Sequence, residues 1–275
     1  PHQQASPDGA ELTARTVLYG VLQHEGAEKS AHETITAEQD AWSSIKHLGD
    51  QYETIAQQAQ AEHVTILLTG AGLTSHQLDR VIDSDGFGSL IAELRRAEAN
   101  GHQTDQLIRR VVAAGGLDDT ADLAVVLRTR VGRLAGARAG GTHRRGRSRL
   151  IAGLIPEAVG PMPTDMAQAL TELKELIEQR AVALADTALS DHAPWTRAVG
   201  AEPKTPTASA TWRAAVATIA AYRDRYAITS PQPLGNTPDT QLQRLDRQRA
   251  TAALRRAQNL MKTPAATQTP TTRRG

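Results

Sequence analysis

The chain has 275 residues, 31 basic and 30 acidic, for a formal net charge of +1; 40% are apolar, and of these 46 are Ala and only 8 aromatic. That composition supports a thin core between closely approaching helices and excludes a β-sandwich. The absence of cysteine excludes disulfide staples, thiol nucleophiles and the usual structural zinc sites. No apolar run reaches the ~18–20 residues of a membrane span, and no secretory pattern opens the chain. The reading is cytoplasmic, without membrane insertion. The chain begins at Pro1 rather than Met and reads as a piece of a longer protein.

Residues 8–155 contain no proline, whereas 156–275 contain eleven. The proline-free run, rich in Ala, Leu, Glu, Gln and Arg, predicts helix after helix. A first helix is expected over 11–24, ending at Gly26, and a second over 31–68. In the second, Trp42, Ile45, Gly49, Tyr52, Ala56 and Ala59 follow a 3–4 spacing, a narrow seam suited to another helix. Gly49 on that seam marks a close approach or a bend. Gly70-Ala71-Gly72 is a turn. Leu73–Ile82 is a short helix, and Ser84 or Asp85 a cap for the next, whose stripe is Phe87, Leu90, Ile91, Leu94 and Ala97. Helices over 104–114 and 120–134 follow, the latter with Leu123, Leu127, Val131 and Leu134 on one face. Residues 135–149, rich in Gly, Ala and Arg, read as a flexible linker. Leu150–Ile155 is too short and apolar to separate strand from helical turn. Met166, Leu170, Leu173, Ile177, Ala181, Leu184 and Ala188 then form one helix face. Trp212, Val216, Ile219 and Tyr226 point inward from another helix, and 239–261 is a last, Arg-rich one. The expected fold is all-α, with elongated helical subdomains over 6–134 and 150–262, the linker at 135–149 and a disordered Thr/Pro/Arg-rich tail at 263–275.

The motifs of common chemistry are missing. There is no P-loop and no G-x-S-x-G, H-E-x-x-H or His-x-His pattern. The nine His are scattered singly, so no metal and no cofactor is expected. His32-Glu33 reads as a capping box behind Ser30 rather than an acid/base pair. Glu172, Glu175 and Glu178, like Asp118, Asp119 and Asp122, read as solvated faces. No catalytic residue is assigned.

One feature stands apart. Arg128, Arg130, Arg133, Arg138, Arg144, Arg145, Arg147 and Arg149 lie within 22 residues that hold no acid, while the rest of the chain carries a net charge of −7. Such a belt attracts phosphate backbone, and without interleaved aromatics it implies no base readout. A solvated linker from a GC-rich genome has the same composition, so both readings stay open. Trp195, Trp212, Tyr222 and Tyr226 lie near Arg197, Arg213, Arg223 and Arg225. They form either a stacking surface or, as helical spacing favours, a core covered by Arg stems.

Several segments resemble one family. Ser30-Ala-His-Glu-Thr-Ile-Thr-Ala-Glu-Gln-Asp-Ala-Trp-Ser-Ser-Ile45, running on to Tyr52-Glu-Thr-Ile-Ala56, is similar to the region downstream of the helicase in actinobacterial MobF-type conjugative relaxase–helicases. So are Leu150-Ile-Ala-Gly-Leu-Ile-Pro-Glu-Ala-Val-Gly-Pro-Met162, Pro194-Trp-Thr-Arg-Ala-Val-Gly200 and Ala221-Tyr-Arg-Asp-Arg-Tyr226. The resemblance runs from about residue 15 to 260 and carries no catalytic motif. In that family an N-terminal domain nicks plasmid DNA and a central helicase unwinds it; the His cluster and P-loop of those domains are not in this sequence. The resemblance implies a non-catalytic accessory region that recruits the relaxosome, the coupling protein of the type IV secretion channel, or DNA. A nucleic-acid-binding module guiding the single plasmid strand is the alternative. The basic belt would contact phosphates, and Trp42, Tyr52, Trp195 and Trp212 would contact protein.

Overall fold

The computed structural model describes residues 42–117, 120–137 and 149–262. The chain separates into two units, Pro1–Ser43 and Ser44–Gly275. Of the first, only Trp42 and Ser43 are described. The helix expected over 11–24, the His32-Glu33 pair, Asp118-Asp119, most of the basic linker and the tail lie outside the described residues.

The second unit is all-α. Among the described residues it has eight α-helices, a 3-10 turn and one two-stranded hairpin. Helix α1 spans Ile45–Gly70. Ser44 is extended (ψ 147°) and its Oγ accepts the His47 N–H at 3.2 Å, a side-chain cap that starts α1 afresh. The seam expected to begin at Trp42 therefore begins at Ile45; Trp42 is 66% exposed. Then come α2 (Ser75–Ile82), α3 (Phe87–Ala99), α4 (Thr104–Ala113) and α5 (Leu123–Ala137). A full capping box opens α2: Thr74 Oγ1 accepts from Gln77 N–H, and Gln77 Oε1 from Thr74 N–H. Neither Ser84 nor Asp85 caps α3. Gly86 holds that position, and the Ser84 hydroxyl instead accepts the Gly86 N–H at 2.9 Å and donates to Asp122 Oδ1 at 2.8 Å.

Leu150–Ile151 (β1) and Ile155–Pro156 (β2) pair antiparallel, with Ile151 opposite Ile155. The turn carries positive φ at Ala152 (48°) and Gly153 (73°), and Leu154 N–H donates to Ile151 O at 2.9 Å. Helix α6 (Thr164–Ser190), a 3-10 turn (Pro194–Ala198), α7 (Pro206–Arg225) and α8 (Gln241–Lys262) complete the chain. The face expected on α6 holds: Leu170, Ile177 and Ala181 are buried, with Met166, Leu173, Leu184 and Ala188 packed beside them.

Two apolar cores form, and their boundary differs from the expected division at residues 135–149. Ile45, Leu48, Tyr52, Ala56 and Ala59 of α1 belong to the core built by the hairpin, α6, α7 and α8. Val64 and Leu68 of the same helix belong to the core of α2–α5. A 3–4 seam identifies the buried face of a helix but not its partner, and this face changes partner halfway along. The changeover is polar. Gln60 donates to Val159 O at 3.0 Å, buried Arg95 pairs with Glu53, and the Tyr52 hydroxyl accepts the Ala158 N–H at 2.8 Å. Gly49 provides close approach: a Cβ there would lie 3.1 Å from Ile155 Cδ1.

The C-terminal half of α7 is buried nearly all round, with every residue from Ala215 to Tyr222 below a tenth exposed. Its end holds a buried charge cluster. Asp246 of α8 is fully buried and accepts from Arg225 Nη1 (3.0 Å), Tyr226 Oη (2.7 Å) and Arg249 Nη1 (3.1 Å). Arg249 also donates to Leu154 O, tying the hairpin to α8. Asp224 accepts the Ile45 N–H at 2.6 Å, which fixes the start of α1 against α7.

Candidate nucleic-acid interface

The basic belt begins on α5, whose placement follows from its apolar stripe. Leu123, Ala124, Leu127 and Val131 are at most 1% exposed and pin one face to the core. Asp122 caps the helix, its Oδ1 accepting the Val125 N–H at 3.1 Å and the Ser84 hydroxyl. These bonds hold its carboxyl below the usual range. The arginines fall on the remaining faces and divide by role. Arg130 turns inward: its Nη1 donates to Val111 O (3.2 Å) and Gly115 O (2.8 Å), satisfying carbonyls at the end of α4. Its placement is structural, so it leaves the set expected to meet phosphate. Arg128 and Arg133 are exposed and, among the described residues, form no ion pair. Arg149 is exposed just before β1. Its charge opposes the burial that raises the Glu98 carboxyl above its ordinary value. Arg138, Arg144, Arg145 and Arg147 lie outside the described residues.

Helix α8 adds cations that no belt motif announced. It carries six basic residues and one acid. Arg247 and Arg249 are spent on structure: Arg247 donates to Asn236 O and Gly235 O, and Arg249 joins the Asp246 cluster. Arg244, Arg255 and Arg256 are exposed and form no ion pair among the described residues. Helix α6 has the opposite balance, five acids to two bases. On it Glu172, Glu175 and Glu178 are exposed, with Glu172 accepting from Gln168 Nε2 at 2.9 Å.

Between α3, α5 and the start of α8 lies a recess of about 600 Å³. Arg96, Arg128, Arg133, Thr129 and Gln241 supply its polar atoms, and Leu242 and Leu245 its apolar wall. Glu93 pairs with Arg96 three residues on and thereby positions it. Gly132 makes room for that carboxylate, since a Cβ there would lie 3.2 Å from Glu93 Oε1.

The aromatic residues expected at a protein contact are otherwise placed. Tyr52 is 1%, Trp195 6% and Trp212 2% exposed, so none of the three presents a surface. Tyr52 and Trp212 through the stripes of α1 and α7, and Trp195 through the 3-10 turn, join the core built by the hairpin, α6, α7 and α8, where their area counts most. Of the four, Trp42 alone is exposed. Of the neighbouring arginines, Arg213, Arg223 and Arg225 are structural, and Arg197 is exposed. Arg223 lies over the Trp195 ring (5.2 Å) and donates to the carbonyls of Gln232, Pro233, Ile228 and Ser230, clamping the loop after α7. Arg213 grips Glu202 through Nε (2.7 Å) and Nη2 (2.9 Å), which holds that carboxyl below its usual range.

Further hollows include one of about 690 Å³ along α8 lined by Arg255 and Arg256, and two others. One of the two, about 960 Å³ beside Trp212, is bordered by Arg213 and the two carboxylates it pairs with, Asp186 and Glu202. The other, about 580 Å³ between α1 and α6, has Ile55, Leu173 and Leu176 between Asp50 and Glu172. Leu176 there is 49% exposed. Among the described residues no group of three His, Asp or Glu is placed to hold a metal ion, and no helix is long and apolar enough to cross a membrane. Compared with protein-family models, with curated proteins and with solved structures, the chain matches none.

Proposed function

We propose that this chain is a non-enzymatic accessory region of a conjugative relaxase, acting in the cytoplasm to bring the relaxosome, the secretion coupling protein and DNA together. The observation that carries the DNA contact is the set of exposed arginines that form no ion pair among the described residues: Arg128 and Arg133 on α5, Arg149, and Arg244, Arg255 and Arg256 on α8. Phosphates neutralise such groups with release of counterions, so binding weakens steeply with salt. Protein recruitment is supported by the hollow between α1 and α6, whose apolar floor and acidic rim suit a basic amphipathic helix. Burial of Tyr52, Trp195 and Trp212 favours the second reading, a nucleic-acid module guiding the plasmid strand, because the cationic face is then the more developed surface. The test is fluorescence anisotropy of labelled single-stranded and duplex oligonucleotides across a salt series, beside a pull-down with the coupling protein. Salt-dependent DNA binding with coupling-protein capture supports the adaptor. DNA binding without capture supports the strand guide. Neither result, where a full relaxase gives both, refutes the proposal.

A further inference from the structure

We infer that the recess between α3, α5 and the start of α8 holds consecutive phosphates of one single nucleic-acid strand. This rests on the DNA contact proposed above and says where it is made and in which strand form. Three guanidiniums, Arg96, Arg128 and Arg133, meet there against one carboxylate, Glu93. That carboxylate lines the recess too, paired with Arg96 and packed against Gly132, so it orients one cation and leaves the charges of Arg128 and Arg133 uncompensated within the recess. Arg128 and Arg133 are five residues apart, about 7.5 Å along α5, and reach the recess from either side of Thr129 and Gly132. Cations spaced along a groove match a chain of phosphates better than a lone anion. Arg130, on the same helix, is turned away to α4, so the recess draws on a chosen subset of the belt.

The recess favours a single strand. Its walls come from three helices and it holds about 600 Å³, room for a backbone and a base but not for the body of a duplex. Leu242, 36% exposed, and Leu245 give a base or sugar an apolar face in place of the aromatic platform that other strand-binding grooves use. With no aromatic ring among the lining residues, sequence preference is weak. The site also spans the two cores: α3 and α5 belong to one and α8 to the other.

The experiment uses the whole 275-residue chain and a labelled oligothymidylate of roughly 12 nucleotides. Arg128→Gln with Arg133→Gln alters only exposed side chains, and its fold is checked by circular dichroism. At about −0.7 per phosphate on a single strand, loss of two contacts lowers the salt slope by about 1.4 and the affinity about 25-fold near 0.1 M salt. Arg109→Gln with Arg110→Gln, exposed on α4 and outside both the recess and the guanidinium set proposed above, is expected to change far less. Because the chain has no cysteine, Leu242→Cys offers a unique attachment point for a benzophenone, expected to crosslink to the single strand and not to a duplex. Wild-type slope and affinity in the Arg128/Arg133 variant overturn the recess and leave the proposed DNA contact standing. Equal losses in both double variants also overturn it, and crosslinking to duplex as efficient as to single strand overturns the strand assignment. No salt-dependent binding by the wild-type chain overturns the proposed DNA contact and the recess together.

Discussion

Removing the carboxylate of Asp246 should be among the most damaging single changes in the first core. Asp246 is fully buried and balances two guanidiniums, of which Arg225 has a side chain 4% exposed and Arg249 15%. Asp246→Ala leaves both cations without a counter-charge and the Tyr226 hydroxyl without its acceptor. Breaking a buried pair by deleting one partner costs about 3–5 kcal/mol. A domain has roughly 5–15 kcal/mol in total, so the variant should sit near its unfolding threshold. Asp246→Asn keeps an acceptor oxygen and should lose less. Tyr226→Phe removes one bond to a charged acceptor and should cost about 1.5–3 kcal/mol. Replacing the triad together, as Arg225→Met, Asp246→Leu and Arg249→Met, should recover much of the loss, because no charge is left stranded. Urea titration followed by tryptophan fluorescence reads this core directly, since Trp195 and Trp212 lie in it. Circular dichroism reads both cores. Asp246→Ala within 1 kcal/mol of wild type would refute the claim that this carboxylate holds α7, α8 and the hairpin together.

Other outcomes follow from single positions. Gly153→Ala adds a Cβ 2.4 Å from Thr218 Oγ1 at φ +73°, so it should destabilise by about 2 kcal/mol or more in the same titration, and Thr218→Ala should relieve part of that. Ala227 is exposed with φ 48°, and Ala227→Gly should stabilise by about 1 kcal/mol. Asp122 has a lowered folded pKa, so its capping contribution is present above the unfolded value near 3.8 and is lost as pH falls through the folded one. Asp122→Ala should therefore cost stability at pH 7 and little in strong acid. Glu98 has the opposite sign: burial raises its pKa, so its carboxylate opposes folding at neutral pH. Glu98→Gln should stabilise at pH 7, an advantage that fades as pH falls through the raised folded pKa and is gone below the unfolded value near 4.5. Arg149→Gln should move the Glu98 titration further upward by NMR.

The helices were legible because each exposes its period. Leu90, Ile91, Leu94 and Ala97 on α3 and Leu123, Leu127 and Val131 on α5 are buried as their spacing requires. The hairpin was not, since six residues hold too few periods to separate strand from turn, and the Ala152-Gly153 turn lacks the Asn that would signal it. The pairing of α1 with two cores was hidden because local pattern carries no information on partners 100 residues away. The belt was visible as composition, but its division was not. Arg130 is committed to α4 by the carbonyls of Val111 and Gly115, and Arg96 joins the recess from a helix whose sequence shows only an i,i+3 ion pair. Asp246, the one acid on α8, could have been singled out by its isolation among arginines.

Helix α1 is 26 residues, about 39 Å of rod, and one end walls each interior. Neither half of the second unit is thus a module in the genetic sense. A crossover, truncation or transposon boundary inside the α2–α5 region strands Val64 and Leu68 in water, and one in the α6–α8 region does the same to Ile45, Tyr52 and Ala56. The two interiors share one rod, so a cut between them leaves one of them without a wall.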